Sequence, residues 1–387
     1  MPGLRVVVVT HTAELGGAEL ALLRLVAALE PGEFDVHVVT WSHGDLVDRL
    51  ETDGIPVTVI AGRGIQKVTR TDAGRVSATR SLPATVGVAR QLRRVLRSLD
   101  PDLVVANSLK AAVVVGLVAG MARQPWVWHL HDRLAPDYLP APVARAMGML
   151  AARGPRGIVA NSEATAATLP LRAQERTVVA YPGLAPALAQ RERVLPAAPV
   201  VGLVGRISPT KGQLEFIQAA HQVRRRHPDA RFVIVGTAMF ADAPYEQEVR
   251  QAAGDTVEMV GWTDDPAGTI AGLSVLVHAS PTPEPFGQVV AEAVALGVAV
   301  VGTEAGGVPE IMVPQRDDRD RSHSSRGPHG VLVAPGDVSA LAGAVSALLD
   351  DPRRLIIDPD ARAEAADRLS IARTAGVVAQ AWRRHST

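Results

Sequence analysis

Short runs of Val, Ile and Leu recur along the 387-residue chain, and segments with helical periodicity separate them. Continuous apolar runs that alternate with helices are typical of parallel strands covered on both faces. The pattern predicts two series of strands. The first lies near 4–10, 35–40, 57–60, 102–106, 126–131, 157–160 and 177–180, and the second near 199–205, 231–235, 257–260, 274–278, 298–302 and 331–333. The expected fold class is therefore α/β, with two Rossmann-like, doubly wound parallel sheets.

A proline-rich segment over 182–198 separates the two series of strands. Breaks of this composition are typical of domain boundaries. We predict one lobe over 1–182, a second lobe over 183–365 and a final helical segment over 366–387. Ligands of two-lobed proteins bind preferentially at the domain interface, so the expected site is the cleft between the lobes.

Composition and charge exclude several classes of protein. Lys plus Arg and Asp plus Glu each number 40, so no net charge attracts nucleic acid or an anionic membrane. Cysteine is absent, which excludes disulfides and thiolate metal sites and suits a reducing cytoplasm. The N-terminus lacks a signal-peptide pattern, and the longest apolar stretch, 111–122, is shorter than the about 20 residues of a bilayer span. We expect a cytoplasmic protein without a membrane span.

Two segments depart from the alternation of strands and helices. The segment 67–97 contains a single acid, Asp72, and its favoured interpretation is a solvated arginine face, with an anionic-lipid surface as the alternative. The segment 314–330 is polar and lacks periodicity, which predicts a mobile loop. The basic residues of the first segment are Lys67, Arg70, Arg75, Arg80, Arg90, Arg93, Arg94 and Arg97.

Two places in the sequence are suited to phosphate. Gly16 and Gly17 follow the first strand and precede a helix, whose N-terminal N–H groups favour an anion. A tight turn is the simpler interpretation there, because the pattern G-x-G-x-x-G is absent. In the second lobe, Arg206 ends a strand and Lys211, one of only three lysines, precedes the next helix. A guanidinium and an ammonium together can bind a diphosphate, although ordinary surface charges are the alternative.

Two acids bracket a further helix start in the second lobe. Glu284 lies in a proline-rich loop, and Glu292 lies in a helix predicted from 288 to Gly297. Carboxylates accept hydrogen bonds from hydroxyls, and bonds to charged groups contribute about 1.5–3 kcal/mol. The apolar neighbours of Glu292 predict that it is buried and paired, whereas an ordinary loop acid is the simpler interpretation of Glu284. Together the two acids predict a ligand with hydroxyls at both ends of its phosphates, such as a nucleoside diphosphate sugar.

The chain resembles the retaining glycosyltransferases of the GT-B fold, in particular the broad group called family four. The resemblance rests on motifs that occur in the family's order and span nearly the whole chain. They are GGAE at 16–19, GRISPTKG at 205–212, MVGWTDD at 259–265, EPFGQVVAE at 284–292, which is the family's E-x7-E motif, and GTEAGGVPEIM at 302–312. The resemblance implies two Rossmann-like lobes and a C-terminal helix that returns to the first lobe.

The resemblance also implies roles for individual residues. Arg206 and Lys211 would neutralise the donor diphosphate, Glu284 would bind hydroxyls of the donor sugar, and Glu292 would bind the ribose. His131 would face the sugar from the end of a first-lobe strand, with His129 as its rival. The donor would also be lined by Gly16, Gly17, Gly205, Phe286 and Gly287, and its base by Val260, Gly261 and Trp262.

The chemistry expected of such an enzyme is stabilisation of the negative charge that develops on the leaving diphosphate. The family is thought to retain configuration by attack on the same face, with a phosphate oxygen taking the acceptor proton. No cofactor or metal is expected, and the acid pairs 264–265 and 317–318 are interpreted as solvated. The chain departs from many relatives in its inter-lobe segment Tyr181-Pro-Gly-Leu, where they have Asn-Gly, and in the length of its loop at 314–329.

The acceptor is expected to bind the first lobe, with Asn107, Ser108, Asp132 and the loop 66–82 as candidates. The composition, rich in Ala, Val and Arg, looks actinobacterial. Because the net charge is zero, we favour a small soluble specialised metabolite as acceptor over a cell-envelope or lipid-linked glycan, and membrane-surface contact is not favoured. A nucleotide-sugar 2-epimerase of the same fold and a non-catalytic nucleotide-sugar-binding protein are also compatible with the sequence. Oligomeric state is left open.

Overall fold

The computed structural model describes residues 3–61, 78–238, 242–313 and 326–386. Lys67, Arg70, Arg75, Asp317 and Asp318, the side chain of Arg80, and most of the loops predicted at 66–82 and 314–330 lie outside this description. The chain divides into two compact units. Unit 1 comprises Met1–Gly183 and Ile371–Thr387, and unit 2 comprises Leu184–Ser370.

Unit 1 is built on a seven-stranded parallel sheet. Its strands are β1 Leu4–Val9, β2 Phe34–Thr40, β3 Val57–Val59, β4 Leu103–Ala106, β5 Trp126–Leu130, β6 Gly157–Ala160 and β7 Thr177–Val179. Its helices are α1 Gly17–Ala28, α2 Asp45–Thr52, α3 Ala78–Leu99, α4 Leu109–Ala122, α5 Ala141–Arg153, α6 Glu163–Ala166, α7 Leu171–Gln174 and, from the end of the chain, α16 Ile371–Ser386. The strand order is β3-β2-β1-β4-β5-β6-β7.

Unit 2 repeats this plan with a sheet of six parallel strands and one short antiparallel strand at its edge. The strands are β8 Val200–Val204, β9 Arg231–Val235, β10 Val257–Gly261, β11 Val275–His278, β12 Ala299–Thr303, β13 Arg326–Gly327 and β14 Gly330–Val333. The helices are α8 Pro186–Gln190, α9 Gln213–Arg224, α10 Ala243–Ala253, α11 Pro266–Ala271, α12 Gln288–Leu296, α13 Val308–Met312, α14 Val338–Leu349 and α15 Pro359–Arg368, with 3-10 turns at Pro209–Lys211 and Pro352–Leu355. The strand order is β10-β9-β8-β11-β12-β14-β13.

The predicted fold class is confirmed, because each unit contains a doubly wound parallel sheet. Strands such as β4 and β11 are buried along their whole length, which explains their continuous apolar runs. The strand β13, which pairs antiparallel with β14, was not predicted. Two residues are too few to show a periodic pattern.

The strand order reverses between β1 and β4 in unit 1 and between β8 and β11 in unit 2. At such a switch point the connections that follow the two strands leave toward opposite faces of the sheet, which opens a crevice at the carboxyl ends. The segments that follow β1 and β4 contain Gly16 and Asn107, and those that follow β8 and β11 contain Lys211 and Glu284. The topology therefore places predicted site residues at the switch point of each unit.

The C-terminal helix α16 packs against the sheet of unit 1. Trp382 is completely buried, and its ring lies nearly parallel to that of His129, with an interplanar angle of 23° and a centroid distance of 5.7 Å. Its indole Nε1 donates a hydrogen bond of 3.0 Å to His129 Nε2, and Phe34 meets the ring edge-on at 5.4 Å. The last helix is therefore part of the core of unit 1.

Among the helices that the structure describes, none combines the length and the hydropathy that a bilayer crossing requires.

Trp382→Ala is expected to lower the free energy of unfolding by about 3–5 kcal/mol, because it leaves a cavity and removes the donor to a buried histidine. Chemical denaturation followed by circular dichroism measures this change. Trp262→Ala is the matched control, since Trp262 is 67% exposed, and should change stability by no more than about 0.5 kcal/mol. Equal losses in the two variants would contradict the packing role of Trp382.

Candidate active site

Three glycines bring the carboxyl ends of β8, β9 and β10 close together in unit 2. Gly205, Gly236 and Gly261 have φ values of +150°, +136° and +87°. A Cβ atom on Gly236 would lie 2.1 Å from the carbonyl oxygen of Gly205, so no side chain fits there. A Cβ on either of the predicted donor residues Gly205 and Gly261 would meet no other atom within 4 Å, so it is their positive φ that favours glycine there.

The turn that contains Lys211 packs directly against the end of β11. Gly212 follows with φ +76°, and a Cβ there would lie 2.0 Å from the carbonyl oxygen of Ala279. The buried hydroxyl of Ser280 lies 2.5 Å from the carbonyl oxygen of Thr210 and 2.8 Å from that of Thr282. These contacts join the loop after β8 to the loop after β11.

Lys211 and Glu284 form an ion pair between these two loops. Lys211 Nζ donates to Glu284 Oε1 at 2.8 Å, and His278 Nε2 lies 3.3 Å from the same oxygen. The side chains of Lys211 and Glu284 are 31% and 13% exposed. On the other side of its ring, His278 Nδ1 is hydrogen-bonded to Thr303 Oγ1 at 3.0 Å, which orients the imidazole.

The environment keeps Glu284 ionised. Burial alone would raise the pKa of Glu284, but the Lys211 ammonium and the His278 ring outweigh burial and hold that pKa well below its usual range. An ionised carboxylate can accept hydrogen bonds but has no proton to donate. At neutral pH, Glu284 is therefore suited to bind hydroxyls and unsuited to act as a general acid.

The loop that contains Glu284 is held by the glycine pair of the last motif. Gly307 N donates a hydrogen bond of 2.9 Å to the carbonyl oxygen of Glu284, and a Cβ on Gly306 would lie 1.9 Å from that oxygen. Phe286 is buried, and Gly287, with φ +106°, begins α12 without a side-chain cap. The arrangement leaves the N-terminus of α12 beside Glu284, where its N–H groups and dipole favour an anion.

Of the predicted donor residues Arg206 and Glu292, only Glu292 differs in burial from the prediction. Glu292 is half-buried, not buried as its apolar neighbours suggest, because it shares a partly exposed stripe of α12 with Gln288 and Val289. The side chain of Arg206 is also half-buried, and Gln213 Nε2 donates to its carbonyl oxygen at 3.0 Å. Gln213 is fully buried and was not predicted from the sequence.

The predicted base-binding segment is exposed. Val260 and Trp262 are 49% and 67% exposed, and Trp262 Nε1 donates to Asp264 Oδ1 at 3.0 Å. Asp265 caps α11 by accepting a hydrogen bond from Gly268 N and forms an ion pair of 2.6 Å with Arg191. The segment can thus offer an aromatic surface to a ligand, whereas Asp265 has a structural role.

Across the four described ranges, no group of three or more His, Asp or Glu side chains is arranged to hold a metal ion.

In unit 1, His131 lies in a pocket at the carboxyl ends of β4, β5 and β6. His131 Nε2 is 3.0 Å from Asn107 Oδ1, and Asn161 Nδ2 donates to the main-chain oxygen of His131 at 3.2 Å. Both asparagines are more than nine-tenths buried, and Asn107 Nδ2 and Asn161 Oδ1 have no hydrogen-bond partner among the residues that the structure describes. His131, Asn107 and Asn161 all line the pocket, which therefore offers unused donors and acceptors.

The two neighbouring histidines have different environments. Burial lowers the pKa of His131 to about 4, although Asp132 opposes this shift, so the ring is neutral at pH 7. Burial, with His131 nearby, lowers the pKa of His129 to about 3, and its Nε2 accepts the bond from Trp382. His129 therefore has a structural contact that His131 lacks, although both rings line the pocket.

Two of the predicted acceptor residues make structural contacts. Ser108 caps α4 by accepting a hydrogen bond of 3.2 Å from Ala111 N, and it lies 3.0 Å from His11 Nδ1. Asp132 is buried and accepts a hydrogen bond of 3.2 Å from the Tyr138 hydroxyl. An acceptor that bound these side chains would have to share or replace these bonds.

Glu19 is a buried acid that the site predictions missed. It is the third residue after the N-cap Gly16 of α1, and its carboxylate accepts hydrogen bonds from the main chain of Gly16 and of Glu19 itself. Thr10 Oγ1 lies 3.5 Å from Glu19 Oε1. Burial raises the pKa of Glu19 to about 7, although these hydrogen bonds lower it.

The sequence signal that could have identified Glu19 was its place as the acid of the GGAE motif, since an acid at this position commonly caps a helix. The buried carboxylate of Glu19 therefore already accepts main-chain hydrogen bonds at the start of α1, beside Gly16 and Gly17.

Glu19→Gln is expected to change how stability depends on pH. The folded-state pKa of Glu19 lies above its ordinary value of 4.5, so its contribution is full below pH 4.5 and is lost as pH rises through about 7. Between pH 5 and pH 8, the stability of the wild type should fall by about 2–3 kcal/mol relative to Glu19→Gln. Denaturant titrations at both pH values measure this difference. Glu14→Gln, a change at an exposed acid of the same segment, is the control, and the same slope in both variants would contradict the assignment.

Comparison with known proteins gives two family matches in sequence order. The model described as "Glycosyltransferase Family 4" matches residues 15–188, and the model described as "Glycosyl transferases group 1" matches residues 198–351. A GDP-mannose-dependent alpha-mannosyltransferase of Mycolicibacterium smegmatis is 29% identical over 97% of this chain and 95% of its own length. A GDP-mannose-dependent alpha-(1-6)-phosphatidylinositol monomannoside mannosyltransferase of the same species is 34% identical over 40% of each chain. The chain spans about two fifths of the length of the first curated relatives it matches.

The solved structures agree with this assignment. The Anabaena protein HepE in complex with UDP-glucose superposes with a TM-score of 0.79 at 25% identity, over 98% of this chain and 99% of that one. Two parallel-sheet units, motifs in the family's order and two adjoining family matches together show that the chain belongs to the GT-B glycosyltransferases of family 4.

Proposed function

We propose that the chain is a retaining glycosyltransferase that moves a sugar from a nucleoside diphosphate sugar to a hydroxyl-bearing acceptor. The observation that carries the proposal is the Lys211–Glu284 ion pair at the switch point of unit 2, with His278 on the same carboxylate oxygen. It brings a cation for phosphate and an ionised acceptor for hydroxyls within 2.8 Å of each other. These two groups side by side are complementary to a ligand in which a sugar and a phosphate are directly bonded.

The donor diphosphate is bound by Lys211, Arg206 and the N-terminus of α12. An ammonium has three N–H donors, so Lys211 can keep its bond to Glu284 and still donate to phosphate oxygens. Charge develops on the diphosphate as the glycosidic C–O bond breaks, and fixed cations and helix dipoles stabilise it most when water is excluded. These groups act on the leaving group and supply the largest share of catalysis.

Glu284 binds hydroxyls of the donor sugar as an ionised acceptor. Its low pKa is the physical reason, because the carboxylate keeps its charge through the pH range in which such enzymes work. Glu292, eight residues later on the half-buried stripe of α12, binds the ribose hydroxyls. In this proposal no side chain forms a bond to the sugar, and a phosphate oxygen takes the acceptor proton. A covalent glycosyl adduct on Glu284, detected by mass spectrometry of the quenched enzyme, would contradict this proposal.

The nucleotide base is proposed to lie against the exposed segment from Val260 to Trp262. The relatives differ in donor, since the mycobacterial relative is named for GDP-mannose and HepE was solved with UDP-glucose. Thermal shift with UDP-, GDP- and dTDP-sugars identifies the donor, because a ligand that binds only the folded protein raises its melting temperature.

Unit 1 is proposed to bind the acceptor. His131, neutral at pH 7, donates Nε2–H to Asn107 and leaves Nδ1 as a hydrogen-bond acceptor for a hydroxyl. A small soluble acceptor is our first candidate because the chain has no net charge. A lipid-linked acceptor is the second candidate, favoured by the name of the phosphatidylinositol monomannoside mannosyltransferase.

Lys211→Ala and Glu284→Gln are each expected to lower turnover of the donor by about 100-fold or more, because each removes a charge that contacts the reacting part of the ligand. Nucleotide release with and without acceptor extract measures turnover. Arg231→Gln is the matched control, since it breaks an exposed ion pair with Glu258 in the same unit and should change turnover by less than about twofold.

Three outcomes would replace the proposal. Donor binding without any nucleotide release by the wild type would favour a non-catalytic binding protein. Release accompanied by an epimerised sugar would identify an epimerase. Full activity in both Lys211→Ala and Glu284→Gln would show that the ion pair is structural.

A further inference from the structure

Helices α3, α4 and α5 lie side by side on one face of the unit 1 sheet. Their inner residues belong to a single apolar core that also contains residues of β1, β4 and β5. Neighbouring helices contact each other in the order α3, α4, α5. Their outward residues therefore form one continuous surface, which we name the α3–α5 face.

The α3 part of this face is a stripe of arginine. Arg90, Arg94 and Arg97 are exposed, and their spacing of four and three residues places them on one side of the helix. None of the three guanidinium groups contacts a carboxylate in the described part of the chain. Among the described residues, these three positive charges are thus presented to solvent without a carboxylate partner.

The α4 and α5 parts of the face present apolar side chains among further cations. Val113, Leu117 and Met121 are 38%, 50% and 61% exposed, and their spacing of four residues makes a stripe along α4. On α5, Met149 is 56% exposed. The exposed residues Arg145 and Arg153 flank it at four-residue spacing.

Acidic residues are absent from all three helices. No Asp or Glu occurs in Ala78–Leu99, Leu109–Ala122 or Ala141–Arg153, although Asp and Glu number 40 among the 387 residues of the chain. Soluble surfaces normally intersperse both signs of charge and keep apolar residues scattered. Here cations and large apolar side chains share helix surfaces that contribute no acidic side chain, and the exposed acid that follows α3, Asp100, is paired with Arg5.

The charges of the α3–α5 face favour one of two partners that could bind it, an anionic lipid surface, over a second copy of the chain. A second copy of the chain, packed through the same face, would bring the arginine stripes together and be repelled. An anionic lipid surface complements both components, since guanidinium groups bind lipid phosphates and Leu, Met and Val side chains enter the boundary between headgroups and acyl chains.

We propose that the α3–α5 face binds the surface of a membrane that contains anionic lipid, with the chain attached peripherally. The face lies along helices that run from the carboxyl edge of the sheet toward its amino edge, so Arg97, Met121 and Arg153 are at the edge opposite the pocket of His131. None of the side chains that define the α3–α5 face lines this pocket, so attachment through the face does not use pocket residues.

The test is co-sedimentation of the full chain with vesicles of phosphatidylcholine, with and without phosphatidylglycerol. The wild type is expected to sediment with the anionic vesicles only and to be released by added salt. The triple variant Arg90→Gln, Arg94→Gln, Arg97→Gln should bind anionic vesicles about tenfold more weakly or worse. The double variant Leu117→Gln, Met121→Gln should keep weak, fully salt-sensitive binding, because it retains the charges and loses the apolar contact.

A matched control removes three charges elsewhere. Arg224→Gln, Arg225→Gln, Arg226→Gln alters three exposed arginines of unit 2 and should bind vesicles as the wild type does. The melting temperature of each variant establishes that it is folded. The proposal is overturned if the wild type ignores anionic vesicles, if the control loses as much binding as the α3 variant, or if sedimentation velocity shows a dimer that Leu117→Gln, Met121→Gln dissociates. Because the assay measures no sugar transfer, its result is independent of the proposed function.

Discussion

The ion pair between Lys211 and Glu284 is the contact on which the chemistry of unit 2 depends. A carboxylate that is 13% exposed is costly unless a partner compensates its lost hydration, and Lys211 and His278 together provide that compensation. The partners meet only because Gly212 lets one loop approach Ala279 and Gly306 lets another approach Glu284. Glycine at these two positions therefore allows the contacts that compensate the lost hydration of the Glu284 carboxylate.

The candidate site of unit 1 is built from neutral groups, a histidine and two asparagines, and not from an ion pair. His131 is kept uncharged by burial and oriented at two points, its ring by Asn107 and its main chain by Asn161. Each asparagine bonds the histidine with one end of its amide, and the other end has no partner in the described part of the chain. A polar group with one satisfied end is rigid and still able to bind, which is the property that a site for hydroxyl groups needs.

Much of the fold was readable from the sequence because strands buried on both faces leave unbroken apolar runs, as β4 and β11 do. The positions of Lys211 and Glu284 followed from the ends of those runs. Glu292 shows the limit, since the apolar composition of α12 predicted burial but the helical angle of the residue decides exposure. Glu19, Asn161 and His278 were missed as members of a site because their significance comes from neighbours distant in the chain or from the cost of burial. The arginine stripe of α3 was visible in the sequence. The exposed apolar residues of α4 lie beside it only in the fold, and the zero net charge of the whole chain gives no sign of a local positive surface.

The burial of Trp382 on His129 has a consequence for the order in which the chain folds. Unit 2 is one continuous segment, Leu184–Ser370, whereas unit 1 is completed by Ile371–Thr387, which is synthesised after the whole of unit 2. During translation, the part of the unit 1 core that α16 covers therefore stays exposed until the whole of unit 2 has emerged, and unit 2 can fold in that time. Unit 1 thus begins before unit 2 and is completed after it, and a chain released before Ile371 would lack part of the core of unit 1 while unit 2 was complete.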